Sequence, residues 1–172
     1  MAEVPEYEKY PISEEELGKR YKNWVDSMAY QMVMMYRVGL EVGGDRFIQR
    51  LKEEYYKAGQ RMAKQWLSIT GTHIEDYTDC RVLLKLQDQF DDSLANFWDG
   101  YRENSAKAFE KDIITCPVVK PFSKEPEICE LIVSEAMRGI YETLNPNYKF
   151  TGFSKLLPKG DKVCRVRVEM KE

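Results

Sequence analysis

The stretch Lys107-Ala108-Phe109-Glu110-Lys111-Asp112-Ile113-Ile114-Thr115-Cys116-Pro117 decides the fold. Phe109, Lys111 and Ile113 alternate with Ala108, Glu110 and Asp112, the period of two that sets one face of a strand on a core and the other nearer water. Pro117 has no backbone donor and holds the preceding residue extended, so the strand ends at Cys116. Just upstream, residues 97–101 read as a partner strand, joined through a turn at Glu103-Asn104-Ser105. Before residue 97 the apolar pattern is helical, and this switch of period marks the boundary between two halves of the chain.

In the first half, Ser13-x-x-Glu16 is a capping box. From it, Leu17, Tyr21, Trp24, Val25, Met28, Met32, Met35 and Tyr36 recur at helical spacing, and the helix is expected to stop between Gly39 and Gly43. Gly43-Gly44-Asp45 is a break followed by an N-cap. Phe47, Leu51, Tyr55, Ala58, Met62, Trp66 and Ile69 then mark a second amphipathic helix. So short a connection favours an antiparallel pair. A third helix is expected over residues 73–87, with Thr72-x-x-Glu75 as its capping box and Ile74, Tyr77, Cys80 and Leu84 on one face. Asp88, Asp91 and Asp92 lack the glycine and closing glutamate of a calcium loop and read as a solvated turn. Residues 1–12, broken by Pro5 and Pro11, read as an extended lead-in.

Beyond Cys116-Pro117, Ser123 or Lys124 opens another helix, with Pro126 in its first turn and Ile128, Leu131, Ile132, Met137 and Ile140 on its apolar side. Cys129 lies near the start of that helix, where unpaired amides favour a thiolate. Asn145-Pro146 stops it. Residues 148–157 and 163–170 read as a hairpin, with Cys164, Val166 and Val168 on one face of the last strand and Arg165, Arg167 and Glu169 on the other. The expected fold is therefore α+β: one domain of 172 residues, with a helical half over residues 13–94 packed on an antiparallel sheet in residues 95–172 that one helix crosses.

Net charge is −3 with both signs interspersed, which argues against nucleic acid or an anionic membrane as partner. Residues 1–10 are acidic and lack the apolar core of a signal peptide, so a cytoplasmic address is expected. There the four cysteines are expected as free thiols or metal ligands rather than disulfides. Cys116, Cys129 and Cys164 each sit at the edge of an element. The sequence leaves three readings open for them: small buried side chains, ligands of a zinc or iron ion, or a nucleophile at Cys116 or Cys129. Their positions predict that these three face a common pocket while Cys80 belongs to a separate helical core. His73 is the only histidine, so any Cys–His pair has to use it. Trp24, Met34, Met35, Tyr36, Tyr55, Tyr56 and Trp66 exceed what one core stripe requires, which predicts self-association as a homodimer. No Gly-rich phosphate loop is present, and no nucleotide cofactor is expected.

The succession Cys116-Pro117, a helix bearing Cys129, Asn145-Pro146, then Gly160-Asp161-x-x-Cys164-Arg165-Val166 resembles the L-2-amino-thiazoline-4-carboxylic acid hydrolase family over roughly the last third of the chain. The resemblance implies hydrolytic opening of a small cyclic C–N bond in a thiazoline carboxylate or similar acid. Such chemistry needs a cation for the carboxylate, a polariser and a base. Arg165 and Arg167 are the candidate carboxylate-binding residues, and Asp112 or Glu130 the candidate base. Cys116, Cys129 and Cys164 are the candidate nucleophile or metal ligands. The closing Gly-Asp-x-x-Cys strand is also similar to 4-vinyl reductase type domains, whose α+β fold is related to transport protein particle subunits. That similarity implies a non-catalytic sensor or carrier of a small ligand. Some such domains hold zinc with cysteines and an acid near the chain end; this chain departs from them in having neither Cys nor Glu between Phe150 and Asp161.

Overall fold

Helix α1 (Glu14–Thr70) begins at the predicted cap: Ser13 is extended and its Oγ accepts the Glu16 N–H at 3.2 Å. The computed structural model describes residues 13–93 and 97–171, and the side chains of residues 89–93 and 97–99 lie outside that description together with the expected lead-in over residues 1–12. α1 is broken at Gly44, whose φ of 51° and ψ of −142° suit only a residue without Cβ. The Phe47 ring folds over Gly39, where a Cβ would come within 2.2 Å of it. The two arms of α1 then turn back on each other. Met28 on the first and Met62 on the second both line cavities bounded by Met137, whereas a straight helix would hold them about 50 Å apart.

The third helix starts later than predicted. Residues 74–76 form one 3₁₀ turn, and the His73 N–H donates to the Asp76 carboxylate at 2.8 Å, so the cap is one residue out of the predicted register. Helix α2 (Cys80–Ser93) begins only after Asp79, which accepts the Arg81 N–H at 2.8 Å. Asp79 outcompetes the Thr72 box because its side chain and its carbonyl both meet the first orphan amides. α2 continues through the expected acidic turn. Asp88 accepts a 2.7 Å hydrogen bond from Lys111 Nζ, a side chain wholly buried on the core face of its strand, and another from Tyr101 Oη at 2.6 Å.

The sheet comprises β1 (Phe97–Asn104), β2 (Ala108–Thr115), β3 (Tyr148–Lys155) and β4 (Cys164–Met170), antiparallel throughout in the order β1-β2-β4-β3. β2 and β4 pair without a slip from Ala108↔Glu169 to Ile113↔Cys164. Both outer strands carry register shifts and a positive-φ glycine, Gly100 in β1 and Gly152 in β3. Between β2 and β3 run α3 (Val119–Phe122), a π-helical turn (Ile128–Val133) and α4 (Ser134–Leu144). α4 crosses one sheet face, with Tyr141 packed on Phe109 and Phe150. The second arm of α1 lies on α4, and one hydrophobic cluster joins residues of the helices and the sheet. The fold is α+β, as the change of period predicts.

Two pieces of the motif succession hold loops in place. Asn145 Nδ2 donates to the Tyr77 carbonyl at 2.8 Å and Asn145 Oδ1 accepts the Asn147 N–H at 2.9 Å, tying the end of α4 to the segment before α2. Asp161 accepts the Leu156 N–H at 2.8 Å, and Gly160, at φ 91°, closes the 3₁₀ turn between β3 and β4. Among the described residues, no helix is long and apolar enough to cross a membrane.

Candidate functional site

Cys116, Cys129 and Cys164 line one cavity of about 360 Å³. Each arrives from a different element. Cys116 follows the last residue of β2, Cys129 is the second residue of the π-helical turn, and Cys164 opens β4 opposite Ile113. The π turn is made where the Ser134 N–H reaches back five residues to the Cys129 carbonyl, which Ser134 Oγ also approaches at 3.2 Å. Such turns re-aim helical side chains and recur at functional sites. The Gly160-Asp161 loop delivers the Leu157 N–H to Cys164 Sγ at 3.2 Å. Cys80, the wholly buried first residue of α2, lies outside this cavity with its N–H on the Ala106 carbonyl, but it shares one hydrophobic cluster with Cys129, Cys164 and the sheet rather than the separate helical core predicted for it.

The rest of the wall is apolar. Tyr21, Trp24, Met28 and Met32 of the first α1 arm cover it, and Ile113, Phe153 and Val166 supply the sheet side. Gln87 is the one amide, and among the described residues no carboxylate, cation or histidine lines the cavity. Burial therefore governs the thiols. It pushes Cys129 up to about 12, with Cys116 and Cys164 adding to the effect, and Cys164 up to about 11. The place near a helix start that favours a thiolate at Cys129 is opposed by this burial, which disfavours the charged sulfur. The geometry does not favour the metal reading either. Among the described residues no group of three or more His, Cys, Asp or Glu is placed to hold an ion, and Cys116, Cys129 and Cys164 are all described.

Asp112, Arg165 and Arg167 do not join the cysteines. Asp112 and Arg165 are partners across β2 and β4 on the sheet face opposite Ile113 and Cys164. Asp112 accepts from Arg165 at 2.7 and 2.9 Å and from Arg102 at 2.5 Å. The Arg165 hydrogen bond, with Arg102 behind it, holds the Asp112 carboxyl below the usual range, opposite to what a general base near neutrality needs. Arg167 is taken by Glu103 at 2.6 Å and Glu169 at 3.3 Å. Glu130 meets Lys159 at 2.5 Å on the surface. His73 is exposed in the loop after α1 and lines no part of the cavity.

No family model matches this chain, and no curated protein does. Among solved structures it is similar to a trafficking protein particle complex subunit 3 from Naegleria fowleri, crystallised covalently bound to palmitic acid. The TM-score is 0.61 at 15% identity, over 90% of this chain and 97% of that one. At that identity the likeness is one of fold.

Proposed function

We propose that this chain is a non-catalytic binding module that holds an apolar small molecule in the cavity between the first arm of α1, the π turn and the β2–β4 edge. The observation that carries this reading is the cavity wall: aromatic and aliphatic side chains with three cysteines, two of them held protonated by burial, and no charged group among the described residues. Its volume falls within the range of small-molecule sites, roughly 300–1,000 Å³, and such a wall rewards contact with hydrocarbon and penalises any buried charge. The palmitic acid covalently bound to the N. fowleri subunit lends support, since a protein of like fold there holds an acyl chain.

The hydrolytic reading drawn from the thiazoline carboxylate resemblance needs a cation and a base beside the reacting ring. On the far sheet face Arg165 and Asp112 are paired with each other and Arg167 with Glu103 and Glu169, so the geometry favours binding over turnover. Native mass spectrometry of the purified protein with palmitic acid tests the proposal, with release of the ring-opened product from 2-amino-thiazoline-4-carboxylate assayed alongside. One-to-one binding without turnover is expected. Turnover without fatty acid binding would sink it.

The binding module also pairs with a second copy of itself, on this reading. Met34, Val38 and Val42 stand at four-residue spacing along the first arm of α1, and all are exposed, Val42 to 84%.

A further inference from the structure

Next to the cysteine cavity lies a second one, of about 230 Å³, between the far arm of α1, α2 and α4. Its wall includes Met62, Trp66, Ile69 and Ile140. Gln87 and Met137 line both cavities, so these two buried side chains form the partition between them. They are not equivalent. Gln87 is anchored, its Oε1 accepting a short hydrogen bond from the buried Tyr141 hydroxyl. Met137 is an unbranched thioether on α4, with three rotatable bonds and no polar tie to break. Of the two partition side chains, Met137 is therefore the one that can change rotamer without breaking a hydrogen bond.

We propose that the two cavities form a single elongated site, with Met137 as its internal gate, and that the ligand is a long unbranched hydrocarbon chain spanning both. This deepens the binding proposal and rests on it. A compact ring would fill only the space beside the cysteines. A chain threaded past Met137 continues into a wall of Met62, Trp66 and Ile140 and gains contact with each further methylene. Each methylene buried beyond the gate strengthens binding about fourfold, the equivalent of about 0.8 kcal/mol. Met137 then sets the chain length accepted.

Two photoreactive palmitic acids test this on the intact protein, one with a diazirine at the tail and one with it next to the carboxylate. After irradiation and proteolysis, the two probes should label different cavities. One should mark peptides holding Met62, Trp66 or Ile140, and the other peptides holding Val25, Val118 or Phe153. Labelling confined to the cysteine cavity by both probes overturns the elongated site while leaving apolar binding intact; no labelling and no binding by any fatty acid overturns both. A Met137→Phe variant, folding checked by circular dichroism, gives a second readout. It should lose at least tenfold in affinity for a 16-carbon acid and keep that for an 8-carbon acid. Equal loss, or none, for the two lengths contradicts the gate.

Discussion

Gly59 and Gly139 meet backbone to backbone where the second arm of α1 crosses α4. A Cβ at Gly59 would lie 2.0 Å from the Ala136 carbonyl oxygen, and one at Gly139 would lie 2.2 Å from the Tyr56 carbonyl oxygen. Each glycine thus makes room for the other helix, and the crossing fixes the height of α4 above the sheet. Alanine at either position gains about 0.5–1 kcal/mol in helix propensity but must push two backbones apart, an overpacking cost of about 1–3 kcal/mol. Gly59→Ala and Gly139→Ala should each lower the melting temperature, and the double variant should lose less than the sum, because the first separation makes room for the second methyl. Thermal unfolding followed by circular dichroism checks this, and an unchanged or raised midpoint in both single variants would refute the close approach.

Asp112 titrates lower in the folded chain than in the unfolded one, through Arg165 first and Arg102 second. A carboxylate with a depressed folded value contributes stability that is present above its unfolded value, about 3.9, and is lost as pH falls through the folded one. Asp112→Asn should therefore destabilise the protein at pH 7 and flatten the acid limb of the stability curve below pH 4. Urea melts at a series of pH values read both effects. A variant as stable as the parent at pH 7, with the same acid limb, would show that the pairs on this sheet face contribute nothing.

The buried thiols carry the opposite sign. An unfolded cysteine ionises near 8.5, whereas Cys129 stays protonated to about 12 and Cys164 to about 11. The unfolded state sheds protons first, so stability should fall as pH rises above about 8.5. At pH 8.5 the thiolate fraction at Cys129 is on the order of 10⁻³ of that of a free thiol. Iodoacetamide at that pH should leave Cys129 and Cys164 unmodified in the native protein and alkylate both in 6 M guanidinium, as read by peptide mass spectrometry. Rapid native alkylation of Cys129 would contradict its burial.

Sedimentation at micromolar concentration should find a dimer. Changing Met34, Val38 and Val42 together to glutamine should shift it to monomer without loss of helix content, since all three are exposed in the single chain. A monomeric parent would count against pairing through this stripe.

The architecture was legible because period is a local property. The switch near residue 97, the stop at Cys116-Pro117 and the break at Gly43-Gly44 each reflect what a few consecutive residues can do with their backbone. The common cavity of Cys116, Cys129 and Cys164 was legible too, since a strand end, a helix start and a strand face can meet at one sheet edge. The alternation in β4 already separated Cys164 from Arg165 and Arg167; assigning them to one site asked a single strand to point both ways. Of the aromatic surplus, Tyr36, Tyr55 and Trp66 belong to the core or its margin, while Trp24, Met34 and Met35 stay exposed. The Gln87–Met137 partition and the Gly59–Gly139 crossing depend on which helix faces meet in space. Their only trace in the sequence is a glycine left inside each of two helical patterns, which usually has a packing reason.

The irregular outer strands have a consequence for the protein at high concentration. A flat sheet edge offers a row of unpaired amides and carbonyls to any passing strand, and aggregation starts from such rows. Here the regular ladder is kept inside, between β2 and β4, while the register shifts and positive-φ glycines of β1 and β3 kink both borders. A copy docking strand to strand would find the spacing of its hydrogen bonds interrupted within two or three residues on either side. Straightening one border, by replacing Gly152 with a β-branched residue that favours regular pairing, would expose the protein to fibrous association even if its fold and cavity were untouched.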